Sequence, residues 1–168
     1  MPVVLFPRGC HAREIGRVRE SPVRLEPLYR MHFTYPESWS VPLEGGWQQH
    51  LYLAEGHCEG AVTGSLRGAN FPLRRTDGGP FCADFRGAIE TDDGATVLVE
   101  LRGYGRAYPP GRREVVGSVM HLSDSEQYRP LNDAVCVCVG EVRAADDPDA
   151  SPHLVLDVAE LVWEPIAD

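Results

Sequence analysis

No stretch of the 168-residue chain carries an uninterrupted helical period, and no apolar run approaches the length that spans a bilayer. The first absence argues against a helical bundle and the second against a membrane-spanning helix. Lysine is missing altogether, so the basic residues other than histidine are all arginine. That bias fits a GC-rich coding sequence and carries no mechanistic weight. There is no Cys-x2-Cys or His-x3-His spacing, the paired ligand groups that zinc sites ordinarily use. Ser65 and Ser118 lack the Gly-x-Ser-x-Gly setting of a nucleophile elbow. The glycines of "GSLRGANF" lack the strand-to-helix context of a dinucleotide fingerprint. These absences lead us to expect no metal and no cofactor.

What is present is ordinary in amount: 43% hydrophobic and 24% charged residues, enough for one globular domain with a substantial core. A net charge of -9 repels nucleic acid and anionic membranes, so neither is expected as a partner. The opening "MPVVLFPRG" is short, has no basic leader and meets Pro7 and Arg8 at once, which argues for a cytoplasmic protein. The five cysteines, Cys10, Cys58, Cys82, Cys136 and Cys138, are odd in number and irregular in spacing, a poor disulfide framework. In "VCVCV" two thiols share one strand face, where they read as buried structural groups.

Proline and glycine break residues 1–23 into an irregular arm, and 24–168 form the folded domain. Short β-branched and aromatic runs then recur between turn residues: "LEPLYRMHFTY", "WQQHLYLAE", "HCEGAVTGSL", "FCADFRGAIE", "ATVLVELRGY", "REVVGSVMHL", "DAVCVCVGEV" and "HLVLDVAELVW". Regular short strands with turn punctuation predict an all-β fold, a single antiparallel β-barrel rather than an open sandwich. The longest connections, "RAYPPGRR", "LSDSEQYRPLN" and "RAADDPDASPH", are candidates for its rim.

One hairpin folds by hand. If Asp92, Asp93 and Gly94 make a three-residue loop with Gly94 left-handed, Ile89 faces Val97, Gly87 faces Val99 and Phe85 faces Leu101. On the other side Arg86 then meets Glu100, and Asp84 meets Arg102. Each such cross-strand pair is worth roughly 0.2–1 kcal/mol. A four-residue loop would set Phe85 against Glu100, so the bulged register is the consistent one.

The order of Glu59-Gly60, "DFRGAIETDDG", Arg102-Gly103, "YRPLND" and a valine-rich strand ending in "VGE" resembles the domain of unknown function 3237 family, from about Leu25 to Trp163. The resemblance implies a lipocalin-like or calycin-like β-barrel that pairs into a homodimer, with no general activity. This chain departs from the family pattern at Gly87, where an aromatic is usual, at Leu101, where a polar residue is usual, and at His121, where an aromatic is usual. The first change is expected to open space inside.

Two readings of the charged row stay open: a solvated outer face, or an inward clamp for a carboxylate or enolate oxygen. In the inward reading Arg86 and Glu100 are catalytic, while Asp84 and Arg102 hold ligand. Tyr128 then donates to a developing oxyanion, Asn132 orients the ligand and His121 serves as acid or base. In the bland reading Tyr128 plugs a barrel end, Asn132 satisfies turn backbone and His121 is a satisfied core residue. Trp47 and Tyr52 belong to an aromatic set that packs the core or lines a cavity for a small organic ligand. His32, His50, His57 and His153 are dispersed, so a metal would need their accidental meeting in the fold. The functional expectation is a small-molecule barrel enzyme moving protons without a cofactor, by cyclisation, isomerisation, hydration or elimination. A non-catalytic carrier and a structural dimeric module are the alternatives.

Overall fold

The computed structural model describes residues 23–108, 112–143 and 151–163. Nine antiparallel strands are ordered along the chain: β1 (Val23–Leu43), β2 (Trp47–Gly60), β3 (Gly64–Asn70), β4 (Leu73–Arg75), β5 (Phe81–Thr91), β6 (Thr96–Tyr108), β7 (Arg112–Leu122), β8 (Cys136–Arg143) and β9 (His153–Trp163). Except for β3 and β4, which do not pair with each other, each strand pairs with its neighbour in sequence, and β1 pairs on its two edges with β2 and β9, which closes the sheet into a ring. The expected antiparallel barrel is what the chain forms. The irregular arm, apart from Val23, and Cys10 with it, lies outside the described residues.

Alternation does the sorting. Along β5, Phe81, Ala83, Phe85, Ile89 and Thr91 are buried, and along β9 Leu154, Leu156 and Val158 are. The core they build includes Met31, Leu66, Ile89 and Leu156, each almost fully inaccessible, and a buried side chain of this size contributes about 1.5–3 kcal/mol. Cys58, Cys136 and Cys138 take inward positions in that core. Burial pushes their thiols up to about 12, about 11 and about 12, so they are inert at neutral pH, as the "VCVCV" pattern suggested.

The β5–β6 hairpin has the hand-built register at every pair named above. Gly94 is left-handed at φ 86°, and the Thr91 amide donates to the Ala95 carbonyl at 2.9 Å. The run "HCEGAVTGSL" is not one strand. It holds the end of β2, a turn through residues 61–63 and the start of β3, with the Thr63 hydroxyl donating to the Gly60 carbonyl at 3.0 Å.

Between β3 and β4 the chain is interrupted at Phe71-Pro72, and both short strands pair with β2 on one side and β5 on the other. Pro72 has no amide to give the ladder, so bonding there is irregular. The Phe71 amide reaches the Asp84 carbonyl at 2.8 Å, and the Asp84 amide turns to the Asn70 side chain at 3.1 Å. This break fixes Asn70 inside the barrel.

The expected space at Gly87 is filled. The Phe85 ring lies across Gly68 and Gly87: a Cβ at those positions would sit 2.7 Å and 2.9 Å from its Cζ, and 2.5 Å and 2.6 Å from neighbouring carbonyl oxygens. Phe85 also meets Phe33 across the lumen, with centroids 5.7 Å apart. We therefore expect Gly68→Ala to cost about 1–3 kcal/mol in urea unfolding, because the new methyl has both a ring and a backbone to displace.

Candidate functional site

The charged row settles on the outside. Arg86 and Arg102 expose 64% and 60% of their side chains, with Asp84 and Glu100 beside them. Arg102 Nε lies 2.9 Å from Glu100 and 3.6 Å from Asp84, and Arg86 Nε lies 3.9 Å from Glu100. Phe85, Gly87, Val99 and Leu101 hold the inward positions of these strands, so parity sends the ions outward. The inward clamp is thereby corrected: Arg86, Glu100, Asp84 and Arg102 form a screened surface network that meets no enclosed ligand.

Tyr128, Asn132 and His121 gather at one end, but they serve the protein itself. Tyr128 is buried and donates to Asp93 Oδ2 at 3.1 Å, while the Thr91 hydroxyl holds the other oxygen of that carboxylate. These bonds, the Thr91 one first, hold the Asp93 carboxyl below its ordinary pKa. Asn132 brackets Ser123, accepting from its amide at 2.8 Å and donating to its carbonyl at 3.0 Å. His121 lies in the deep core with its Nε2 at 2.7 Å from the Tyr29 hydroxyl, and burial lowers its pKa to about 4. Burial also keeps the Tyr29 phenol protonated, so the phenol donates to Nε2 and the imidazole is neutral. Tyr128 and Asn132 bond within the protein, and His121 is a core residue whose Nε2 is bonded while its buried Nδ1 lacks a partner.

Among the described residues the opposite end holds a cavity of about 110 Å³, lined mainly by Phe33, Tyr35, Tyr52, Phe81, Phe85 and Leu154. An apolar cavity of roughly 150 Å³ accommodates a benzene ring, so this smaller one admits no more than a single ring, with its substituents left at the mouth. Phe33 meets Tyr35 edge-on at 5.7 Å, Tyr35 stacks on Tyr52 at 4.7 Å, and Tyr52 stacks on His50 at 5.3 Å. Asn70, set by the strand break, donates to the Tyr35 hydroxyl at 2.8 Å, which leaves that phenol its own proton to offer the cavity. Tyr52 is the member of the expected ligand set that is found here. Trp47 is elsewhere, at the start of β2 with the Arg75 guanidinium 5.3 Å over its ring.

Two cations guard the mouth. Arg113 is half-buried, its guanidinium 4.9 Å over Phe81, and it lines the cavity. Neither Arg113 nor Arg74 has a carboxylate partner among the described residues. Burial first, then the Arg74 charge, depresses the Arg113 pKa, the mark of a cation kept near another without an anion between. His50 Nδ1 lies 3.1 Å from the Tyr52 hydroxyl, and its buried Nε2 has no partner. Burial, then the Arg74 and Arg113 charges, lowers its pKa, so His50 is neutral and able to accept a proton. Burial raises the Tyr52 phenol, which the same two arginines partly offset.

Arg113, Arg74 and Asn70 were not singled out from sequence, Tyr35 belongs to the aromatic set expected to pack the core or line a cavity, and His50 was read only as one of the dispersed histidines. A usable signal existed for Arg113: it shares the inward parity of Val115, Val119 and His121 along β7. Strand register also brings dispersed histidines together, placing His32 directly opposite His57 on the outer surface.

No family model matches the chain, and no curated protein does. Among solved structures it is similar to a β-barrel-like protein from Acinetobacter baumannii AYE, with 20% identity, a TM-score of 0.71 and coverage of 87% of this chain and 100% of that one. A conserved protein of unknown function from Rhodopseudomonas palustris aligns with 19% identity and a TM-score of 0.68, over 83% and 98% of the two chains. An enzyme from Penicillium herquei aligns with 23% identity and a TM-score of 0.64, over 86% and 98%. At these identities the shared property is the barrel-like fold.

Two measurements check this placement. Arg86→Met and Arg102→Met should each change stability by less than about 1 kcal/mol, as exposed ion pairs do. For His121, the unfolded imidazole takes up a proton near pH 6.5 while the folded one waits until about 4. Stability present above 6.5 is therefore lost as pH falls through that window, by on the order of 3 kcal/mol. Urea unfolding of His121→Phe should show a shallower loss between pH 6.5 and 4.

Proposed function

We propose that the protein binds a small, partly aromatic organic anion in the mouth of its barrel and moves a proton on it. The observation that carries this reading is the pair Arg113 and Arg74, two cations that have no carboxylate partner among the described residues, beside an aromatic-lined cavity. An aromatic ring fits the Phe33–Tyr35–Tyr52 wall, and its carboxylate or enolate oxygen supplies the charge the arginines lack. Tyr35, oriented by Asn70, donates a hydrogen bond to a developing oxyanion.

Tyr52 is the group that exchanges a proton with the ligand, and His50 stands behind it as the acceptor. A proton leaving ligand carbon or oxygen passes to the Tyr52 oxygen as the phenolic proton passes to His50 Nδ1. Returned to another carbon or oxygen of the ligand, the proton gives an isomerisation or cyclisation; delivered to a departing oxygen of the ligand it completes an elimination of water, and the reverse of that step, with water as co-substrate, is a hydration. The barrel shared with an enzyme and with proteins of unknown function is compatible with this class. The motif order resembling the domain of unknown function 3237 family supports the same kind of barrel. The largely apolar lining also favours a carrier, which would bind the same anion and release it unchanged.

Benzoate and 4-hydroxybenzoate serve as probes against neutral benzamide, with NMR titration as the readout. The anions should bind more tightly than benzamide, and Arg113→Met should weaken them by about tenfold or more with thermal stability retained. Equal binding of benzamide, or no effect of Arg113→Met, would overturn the reading. For a turned-over metabolite identified by mass spectrometry of the purified protein, Tyr52→Phe should abolish turnover and keep binding. A metabolite recovered unchanged from both proteins would mark a carrier.

A further inference from the structure

We propose that His32, His57 and Glu59 form a binding site for a divalent transition metal, zinc being the natural occupant, on the outer surface where β1 meets β2. In sequence the three are a lone histidine and a histidine-glutamate pair two apart, without the local spacing of a zinc motif. Register brings them together: His32 lies directly opposite His57, and Arg30 lies opposite Glu59. All three point to the outer face because Met31, Phe33 and Cys58 hold the inward positions.

The geometry is near that of a bound ion. His32 Nε2 lies 3.1 Å from Glu59 Oε1, and the His32 and His57 rings stack at 5.0 Å with 10° between their planes. One ligand atom from each residue falls within 4.8 Å of the others. Ligands at zinc's usual bond length of about 2.0–2.2 Å in a tetrahedron stand about 3.3 Å apart. The His–Glu edge already has that length, and small side-chain rotations of His57 supply the rest. The His–Glu contact alone would be an ordinary ion pair; the second imidazole, held face to face by the sheet, adds a donor the pair does not need.

The electrostatics permit a cation. Arg30, paired with Glu59 across the ladder, is engaged by Asp157 through two bonds of 2.6 Å and 2.9 Å. Two imidazole nitrogens and one carboxylate oxygen suit zinc, copper or nickel more than magnesium or calcium. Three protein ligands leave a position open to water. The ion would tie β1 to β2 across one of the two edges through which β1 closes the ring.

The test uses the full chain, stripped with EDTA and dialysed, then titrated with Zn²⁺ by calorimetry and with Co²⁺ by visible absorption. Expected are one equivalent bound, cobalt bands typical of four-coordinate nitrogen and oxygen ligation, and a rise in melting temperature with Zn²⁺. His57→Ala and Glu59→Gln should weaken binding by about tenfold or more while the metal-free melting temperature stays near that of the parent. His153→Ala, and a Cys10→Ser/His11→Ala double variant, should bind as the parent does. No stoichiometric binding at millimolar Zn²⁺ would overturn the proposal. So would binding that survives His32→Ala and His57→Ala, or that disappears in the Cys10/His11 variant.

Discussion

Closure of the sheet through β1 is the constraint on which the other features depend. β1 gives one edge to β2 and the other to β9, so every strand has a neighbour on both sides and the sheet has a true inside. Inside and outside are then decided by parity alone, since a one-residue slip would exchange the faces of a whole strand. The ion-paired stripe of β5 and β6 faces water because Phe85, Ile89, Val97 and Val99 must face one another. His32 and His57 meet on the surface for the same reason.

The two ends of the barrel handle polarity in opposite ways. At the closed end the polar groups are partnered or neutral: Tyr128 with Asp93, Asn132 with Ser123, and Tyr29 with an uncharged His121. At the mouth, polar capacity is left over. Two guanidinium groups repel each other, the Nε2 of His50 lacks a partner, and the Tyr35 hydroxyl keeps a proton to give. An unsatisfied buried polar group is costly to a fold, and besides His50 Nε2 at the mouth the Nδ1 of His121 and one Asp84 oxygen lack a hydrogen-bond partner.

Most of the architecture could be read from the chain because a bulged hairpin and a period of two leave few registers to choose from. The β5–β6 pairing was derivable residue by residue, and β9 coincides with the run "HLVLDVAELVW". The division of "HCEGAVTGSL" was hidden, since Gly60 and Gly64 flank a turn inside a stretch that stays β-like in composition. The site was harder to see for a different reason. Charge density drew attention to Arg86 and Arg102, yet a dense row of opposite charges is what a solvated face looks like. Arg113 and Arg74 stand out instead because they have no carboxylate partner among the described residues, and that is a property of three strands brought together rather than of any one segment. Tyr52 was legible as an aromatic, but its coupling to His50 depends on both lying on the same inward face.

The ring of Phe85, resting on Gly68 and Gly87 and meeting Phe33, separates the chamber from the packed lower half. One aromatic and two glycines thus act as a movable floor. Lineages that exchange the bulk between these three places would deepen or shorten the chamber while the polar groups above stay where they are. Chamber depth and mouth polarity are in this way under separate genetic control, which gives a single scaffold room to diversify.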